Sequence, residues 1–219
     1  MTEEEIISFL NGSDRILDSK SFCLFFTRGR EFQLEAISEF DILKSEALKV
    51  IKKSQSENYH DLSNRLRGQI YYIDSLIAEL RTYLALKDEK MSEAWSSLID
   101  SQMNNMWAMR SHDVFNSNLQ YRSARLEAME RVFFPPQIFF STGTIVKSSK
   151  CTICNSDYND CEHVKGRIYN GEICTRIIEE CELLEASVVK NPADKNCRAI
   201  SIGDGDENRD TLTWRVVRT

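Results

Sequence analysis

Between Glu31 and Phe133 the apolar positions recur at intervals of three and four, the spacing that lays one apolar stripe along a helix. The clearest stripe is Leu62, Leu66, Ile70, Ile73, Ile77, Leu80 and Leu84, about six turns of helix. Before it, Ile37, Phe40, Leu43, Ala47 and Ile51 predict a helix over Glu31 to Ser54. After it, a helix starting at Ser92 turns Trp95, Leu98, Ile99, Met103 and Met106 inward, and another carries Phe115, Leu119, Arg122, Leu126, Met129 and Phe133. At this spacing Trp95, Met103, Met106 and Trp107 read as fillers between neighbouring helices rather than as a cofactor box. The joints between the stripes are short and polar, which implies antiparallel neighbours and hence a helical bundle.

The ends of that region are less regular. Thr2 is placed to cap a short helix through Ile6, Ile7 and Leu10 that stops near Gly12, with Glu3, Glu4 and Glu5 at its positive end. The run Phe22-Cys23-Leu24-Phe25-Phe26 suits a short strand or a buried helix segment, and periodicity does not choose between them. No proline occurs before Pro135, whereas Pro135, Pro136 and Pro192 all follow the last stripe. The tandem pair therefore ends the helical part. Beyond it, Gln137 to Phe140 reads as extended, Ile173 to Ile178 and Ala186 to Val189 as strands, and Arg198 to Ile202 with Thr211 to Val217 as a closing hairpin over Gly203-Asp204-Gly205. The predicted fold class is α+β: a mainly helical domain over residues 1–134 and a small metal-stapled module containing β-structure over residues 137–219.

Composition narrows the function classes. Lys and Arg number 28 against 34 Asp and Glu, and the two signs are interspersed, so no basic stripe points to a polyanion. No apolar run approaches the ~20 residues of a membrane span. The opening Met-Thr-Glu-Glu-Glu lacks the basic and apolar regions of a signal peptide, and a cytoplasmic, reducing location is expected. Seven cysteines is an odd number, and three of them crowd into one short stretch, a pattern that favours metal over a disulfide framework. The scattered cysteines, Cys23, Cys174, Cys181 and Cys197, read as small buried hydrophobes.

The strongest chemical signal is Cys151-x2-Cys154, then Cys161-x-His163: four zinc ligands within thirteen residues. Two thiolates two residues apart can hold one tetrahedral ion from a tight turn, and Asn155 sits where that turn needs positive φ. Three thiolates and one imidazole close the first shell, which predicts a structural zinc with no activated water. Cys174 in place of His163 is the open alternative. A zinc deaminase is excluded because Lys165, not Glu, stands two residues after His163. A nuclease of the HNH type would need another histidine nearby, and His60 and His112 lie on the helical part. Phosphate-loop, dinucleotide and hydrolase-elbow motifs are absent from the sequence. Ser187 with His163 is a conceivable nucleophile and base, but a zinc-bound imidazole cannot serve as base.

The run Cys151-Thr-Ile-Cys154, Cys161-Glu-His163-Val-Lys-Gly166, Tyr169-Asn-Gly171 and Cys174 resembles a small zinc module of bacterial and phage proteins. The segment Glu185-Ala-Ser187-Val-Val-Lys-Asn-Pro192-Ala-Asp194 is similar to the end of tailed-phage prohead proteases. The resemblance spans Cys151 to Asp194, and the protease's catalytic serine motif has no counterpart, so its activity is not implied. A helical protein ending in such a module is also similar to accessory subunits of antiphage defence complexes. The expected function is a non-enzymatic adaptor in a multi-chain bacterial assembly concerned with phage defence. Its partner surface would draw on Phe133, Phe134, Phe139 and Phe140, which flank the prolines and either wedge between the two parts or face another chain. The other readings are a nucleic-acid-binding zinc protein using Lys147, Lys150, Lys165 and Arg167, and a hydrolase using Ser187.

Overall fold

A computed structural model describes residues 1–20, 24, 29–204 and 207–217. Among the described residues six α-helices precede all the strands: α1 (Glu3–Lys20), α2 (Arg30–Ser56), α3 (His60–Lys87), α4 (Met91–Ser111), α5 (Asp113–Asn118) and α6 (Gln120–Phe133). The stripe predicted on α3 is buried at every position from Leu62 to Leu84. That helix is the axis of the bundle, with α2 and α4 antiparallel on either side and α1 packed on both α2 and α3. Three-residue joints at 57–59 and 88–90 turn the chain back, each through one positive-φ residue, Asn58 at +58° and Glu89 at +57°.

Several expectations are corrected. The first helix does not stop at Gly12 but continues to Lys20, because Ser13 and Leu17 extend the buried face of Ile6 and Leu10 while Gly12 points to open space. Its start is as predicted, with Thr2 and Glu5 exchanging backbone-to-side-chain hydrogen bonds in a capping box. Of the run Phe22 to Phe26, only Leu24 lies within the described residues; it is buried beside Phe40 and Ile73. The last predicted helix is two, α5 and α6, with the Asn105 amide donating to the carbonyl of Leu119 at the break. Met103 is exposed and Met106 only half-buried, since the inward face of α4 passes instead through Ser101, Asn105 and Ala108. Cys181 and Cys197 are exposed rather than buried.

The inward faces of α3 and α6 carry charge, at Glu79 and Arg122. Arg122 and Arg125 of α6 both pair with Glu79 of α3, whose side chain is wholly buried, at 2.5 and 2.6 Å. Tyr83 donates its hydroxyl to the same carboxylate, and burial together with the Glu79 charge pushes that phenol well above its ordinary range.

After the prolines the chain forms β1 (Phe139–Cys151), β2 (Ile168–Tyr169), β3 (Glu172–Ile173), β4 (Arg176–Val189), β5 (Ser201–Asp204), β6 (Glu207–Asp210) and β7 (Val216–Val217). The two strands expected around Ile173 to Ile178 and Ala186 to Val189 are instead the short β3 and one unbroken β4. This longer strand pairs antiparallel with β1 from Phe139↔Val189 to Cys151↔Arg176, with register shifts at Gly143/Thr144 and around Ser148. The closing hairpin pairs β5 with β6, not with residues 211–217, because the Asp210 carboxylate gathers the N–H groups of Leu212 and Thr213 into a further turn before β7.

Phe134 and Phe139 are buried against Trp95, with ring centroids 5.2 and 6.2 Å away. Leu212 joins the same cluster. The guanidinium of Arg198 lies over the Trp95 ring and donates to Thr211. The proline segment therefore wedges between the helices and the strands, and the rings of Phe134 and Phe139 are used within the chain rather than offered outward. Phe133 is half-buried, and only Phe140 of the four is exposed.

Candidate metal centre

Cys151 is the last residue of β1, so the strand delivers its thiol to one end of the β1/β4 ribbon. The chain then turns tightly: the Asn155 amide donates to the Cys151 carbonyl at 2.9 Å, and Asn155 takes φ +58°, the left-handed conformation its position called for. A short 3-10 turn, Tyr158–Asp160, capped by the Asp157 carboxylate, returns the backbone so that Cys161 and His163 face the first pair. The ligand atoms of Cys151, Cys154, Cys161 and His163 all lie within 4.8 Å of one another.

The geometry fits one tetrahedral ion. With metal–sulfur bonds near 2.3 Å, two thiolates on one ion sit about 3.8 Å apart. The Cys154–Cys161 sulfurs are 3.5 Å apart, and the Cys161 sulfur is 3.2 Å from His163 Nδ1. Cys174, which sequence reasoning left as the alternative ligand, is fully buried with its sulfur 3.8 Å from that of Cys151. Thr152 holds it there: its backbone N–H and hydroxyl bond the residues on both sides of Cys174, Thr175 and Ile173. Cys174 thus adjoins the set through Cys151, outside the four donors that lie within 4.8 Å of one another.

The thiols are unequal. Burial raises the Cys151 thiol, but the N–H groups of Cys154 and Ile153 more than offset it and bring it down to about 7. N–H and hydroxyl donation from Ser156 lowers Cys154. Burial pushes Cys161 and Cys174 up to about 11. A cation arriving here would find Cys151 and Cys154 easier to ionise than Cys161, and its binding would displace protons from the thiols.

The knuckle is fastened to the helices by the β2–β3 hairpin, whose Asn170-Gly171 turn has φ of +48° and +76°. Gln55 donates to the Asn170 carbonyl, Arg67 donates to the Gly171 carbonyl, and Asn64 accepts from the Gly171 N–H. None of these anchors was expected from the sequence, although Asn-Gly between two extended pairs is a hairpin signal. Between hairpin, knuckle and helices lies a cleft of about 660 Å³ lined by His60, Asn64, His163, Tyr169 and Glu172 among others. The His163 ring stands edge-on to Tyr169 at 4.7 Å.

The remaining candidates are not brought together. Ser187 pairs with Ser141 near the far end of the ribbon from Cys151, and its hydroxyl donates to Glu185 rather than to a histidine. Lys147 is bridged to Glu180 and Glu182, and Lys150 to Glu179, while Lys165 and Arg167 are exposed. Among the described residues no disulfide forms, and no helix is long and apolar enough to cross a membrane. No family model matches this chain, and neither a curated protein nor a solved structure matches it.

Proposed function

We propose that the protein is a non-enzymatic, zinc-stapled adaptor, an accessory subunit that presents a β-ribbon to another chain of a larger bacterial assembly. The observation that carries this reading is what the metal centre joins. Cys151 closes β1, and Thr152 clamps the residues leading into β4, so an ion here would fasten the end of a ribbon that exposes Phe140, Ile145, Ile177, Ile178, Leu183, Leu184 and Val188. Zinc suits the donor set, since thiolate and imidazole in a closed tetrahedral shell are its structural ligands. Such a shell holds no substrate position, and among the described residues the Ser187 hydroxyl is bonded to the exposed Glu185 carboxylate and to no histidine. Phage defence as the setting is supported only by the similarity of a helical protein ending in such a module to accessory subunits of antiphage defence complexes.

Direct binding of nucleic acid is disfavoured by charge. Two of the four basic residues proposed for it are already committed to glutamates of β4. Weak, salt-sensitive association is expected, and binding that persists above ~200 mM salt would move that reading ahead. The adaptor reading is tested by recovering the protein from the cells that encode it under reducing conditions, followed by mass spectrometry and sedimentation. A stoichiometric partner is expected, and a stable monomer recovered alone would overturn it.

A further inference from the structure

The β1/β4 ribbon has only two strands, yet its two outer edges are not alike. The edge of β1 is engaged at both ends by the chain itself: Phe140 donates to the Cys197 carbonyl and Phe139 bridges Arg198 at one end, while Cys151 donates to the Ser156 carbonyl and Lys150 bridges Asp157 at the other. Among the described residues, no backbone hydrogen bond joins β4 to anything except β1. Alternate N–H and C=O groups therefore face outward along a 14-residue strand, roughly 45 Å. The side chains are equally uncovered: Leu183, Leu184 and Val188 keep 65, 61 and 69 % of their surface. A long, open, apolar edge is a template for another strand.

We propose that the outer edge of β4 is a docking site for an extended segment of a partner protein in which apolar residues alternate with lysine or arginine, added to the ribbon as a third strand. The charge on the strand selects this occupant. β4 carries Glu179, Glu180, Glu182 and Glu185 against the single cation Arg176. Lys150 of β1 pairs with Glu179 at 2.7 Å and Lys147 is shared between Glu180 and Glu182 at 3.7 and 3.5 Å, so four carboxylates face two β1 cations and Glu185 meets none among the described residues. Cations on an incoming strand would lie beside these carboxylates, with its apolar residues beside Leu183, Leu184 and Val188. A second copy of the chain fits worse, because antiparallel pairing of β4 with itself sets the glutamate-rich stretch 179–185 against its own charge. The assignment rests on the adaptor reading and names the surface and the chemistry that reading leaves open.

The test uses the full, metal-loaded chain and synthetic ten-residue peptides: valine alternating with lysine, valine with glutamate, serine with lysine, and the valine–lysine peptide N-methylated along one edge or the other. Fluorescence anisotropy should show the valine–lysine peptide binding at least tenfold tighter than the glutamate and serine peptides. Methylation of one edge should abolish binding, and methylation of the other should leave it. Hydrogen exchange should slow at alternate amides of residues 176–189 and not in β1. The double variant Glu182→Lys/Glu185→Lys, checked for unchanged helical signal and metal content, should reverse the preference for peptide charge. Binding that ignores N-methylation, equal binding of the serine–lysine peptide, or no binding of any peptide would overturn the proposal. So would a peptide-free dimer with β4 already protected, which would identify the occupant as a second copy. A native partner that co-purifies without protecting β4 would sink this assignment and leave the adaptor reading; peptide binding by a chain that never acquires a partner in its cells would do the reverse.

Discussion

Alanine at Gly171 should destabilise the protein, and alanine at Gly12 should stabilise it. At Gly171 a Cβ would lie 2.9 Å from Ile51 Cδ1, 3.0 Å from the Ser63 carbonyl oxygen and 3.3 Å from Gln55 Nε2, with φ at +76°. The Ser63 oxygen belongs to the α3 backbone and cannot swing aside. Left-handed φ costs an alanine about 1–2 kcal/mol, and overpacking adds about 1–3 kcal/mol. If the turn backs away instead, it forfeits the bonds to Gln55, Asn64 and Arg67, each worth about 1 kcal/mol. Both routes converge on about 3 kcal/mol, or about 6–12 °C in Tm for a chain of this length. Gly12 has no atom within 4 Å of its would-be Cβ and lies inside α1, so alanine there gains about 0.5–1 kcal/mol of helix propensity. Thermal melts and amide exchange at residues 170–171 would measure both, with metal content unchanged because neither glycine supplies a ligand. A Gly171→Ala protein within about 0.5 kcal/mol of the parent would show that the turn does not bear on α2 and α3 as described.

Metal analysis of freshly purified, reduced protein should find one equivalent of zinc, and Cys151→Ser or Cys161→Ser should lose metal and solubility together; well under half an equivalent would refute the ligand set. Chelation should leave most of the helical circular dichroism in place, because the buried stripes of α1, α2 and α3 close on one another; collapse of the helical signal would make the bundle dependent on the metal. Glu79→Ala should cost about 3–5 kcal/mol in urea unfolding, since it removes the carboxylate that pairs with the buried Arg122 and the half-buried Arg125. Replacing Glu79 and Arg122 together by leucine and methionine should recover a large part of that loss.

The helices were legible where the stripe is unbroken: each apolar residue at helical spacing from Leu62 to Leu84 is buried. The end of α1 was not legible, since glycine marks a stop only when nothing beyond it needs burying, and Leu17 does. Arg122 shows a limit of a different kind. It sits on the inward face as the period requires, but its partner Glu79 is on another helix, and no local pattern links the two. The four metal donors are local in sequence and were found together, along with the left-handed Asn155. Cys174 and the Gln55, Asn64 and Arg67 anchors come from distant segments that meet only in three dimensions. The continuity of β4 was hidden because a strand exposed on both faces carries no alternation of apolar and polar residues to read.

That missing alternation also explains why the ribbon needs two anchors. Two strands alone are marginal in water, and the ribbon makes few contacts with the helices along its middle. One end is fixed at Trp95 near the start of α4, through Phe139 and Arg198, and the other at the start of α3, through the Gly171 turn beside the metal centre. At 3.3 Å per residue β1 spans about 43 Å, and α3 at 1.5 Å per residue spans about 42 Å, so the ribbon matches the bundle in length and, among the described residues, its anchors lie where the bundle ends. Losing the metal would release one anchor and leave the Trp95 end packed. The ribbon would then fray from Cys151 toward Phe139 while the helices persist, so amide exchange after chelation should rise first at residues 149–151 and 176–178 and last at Phe139 and Val189. Uniform release along the ribbon would mean that the metal centre does not act as an anchor.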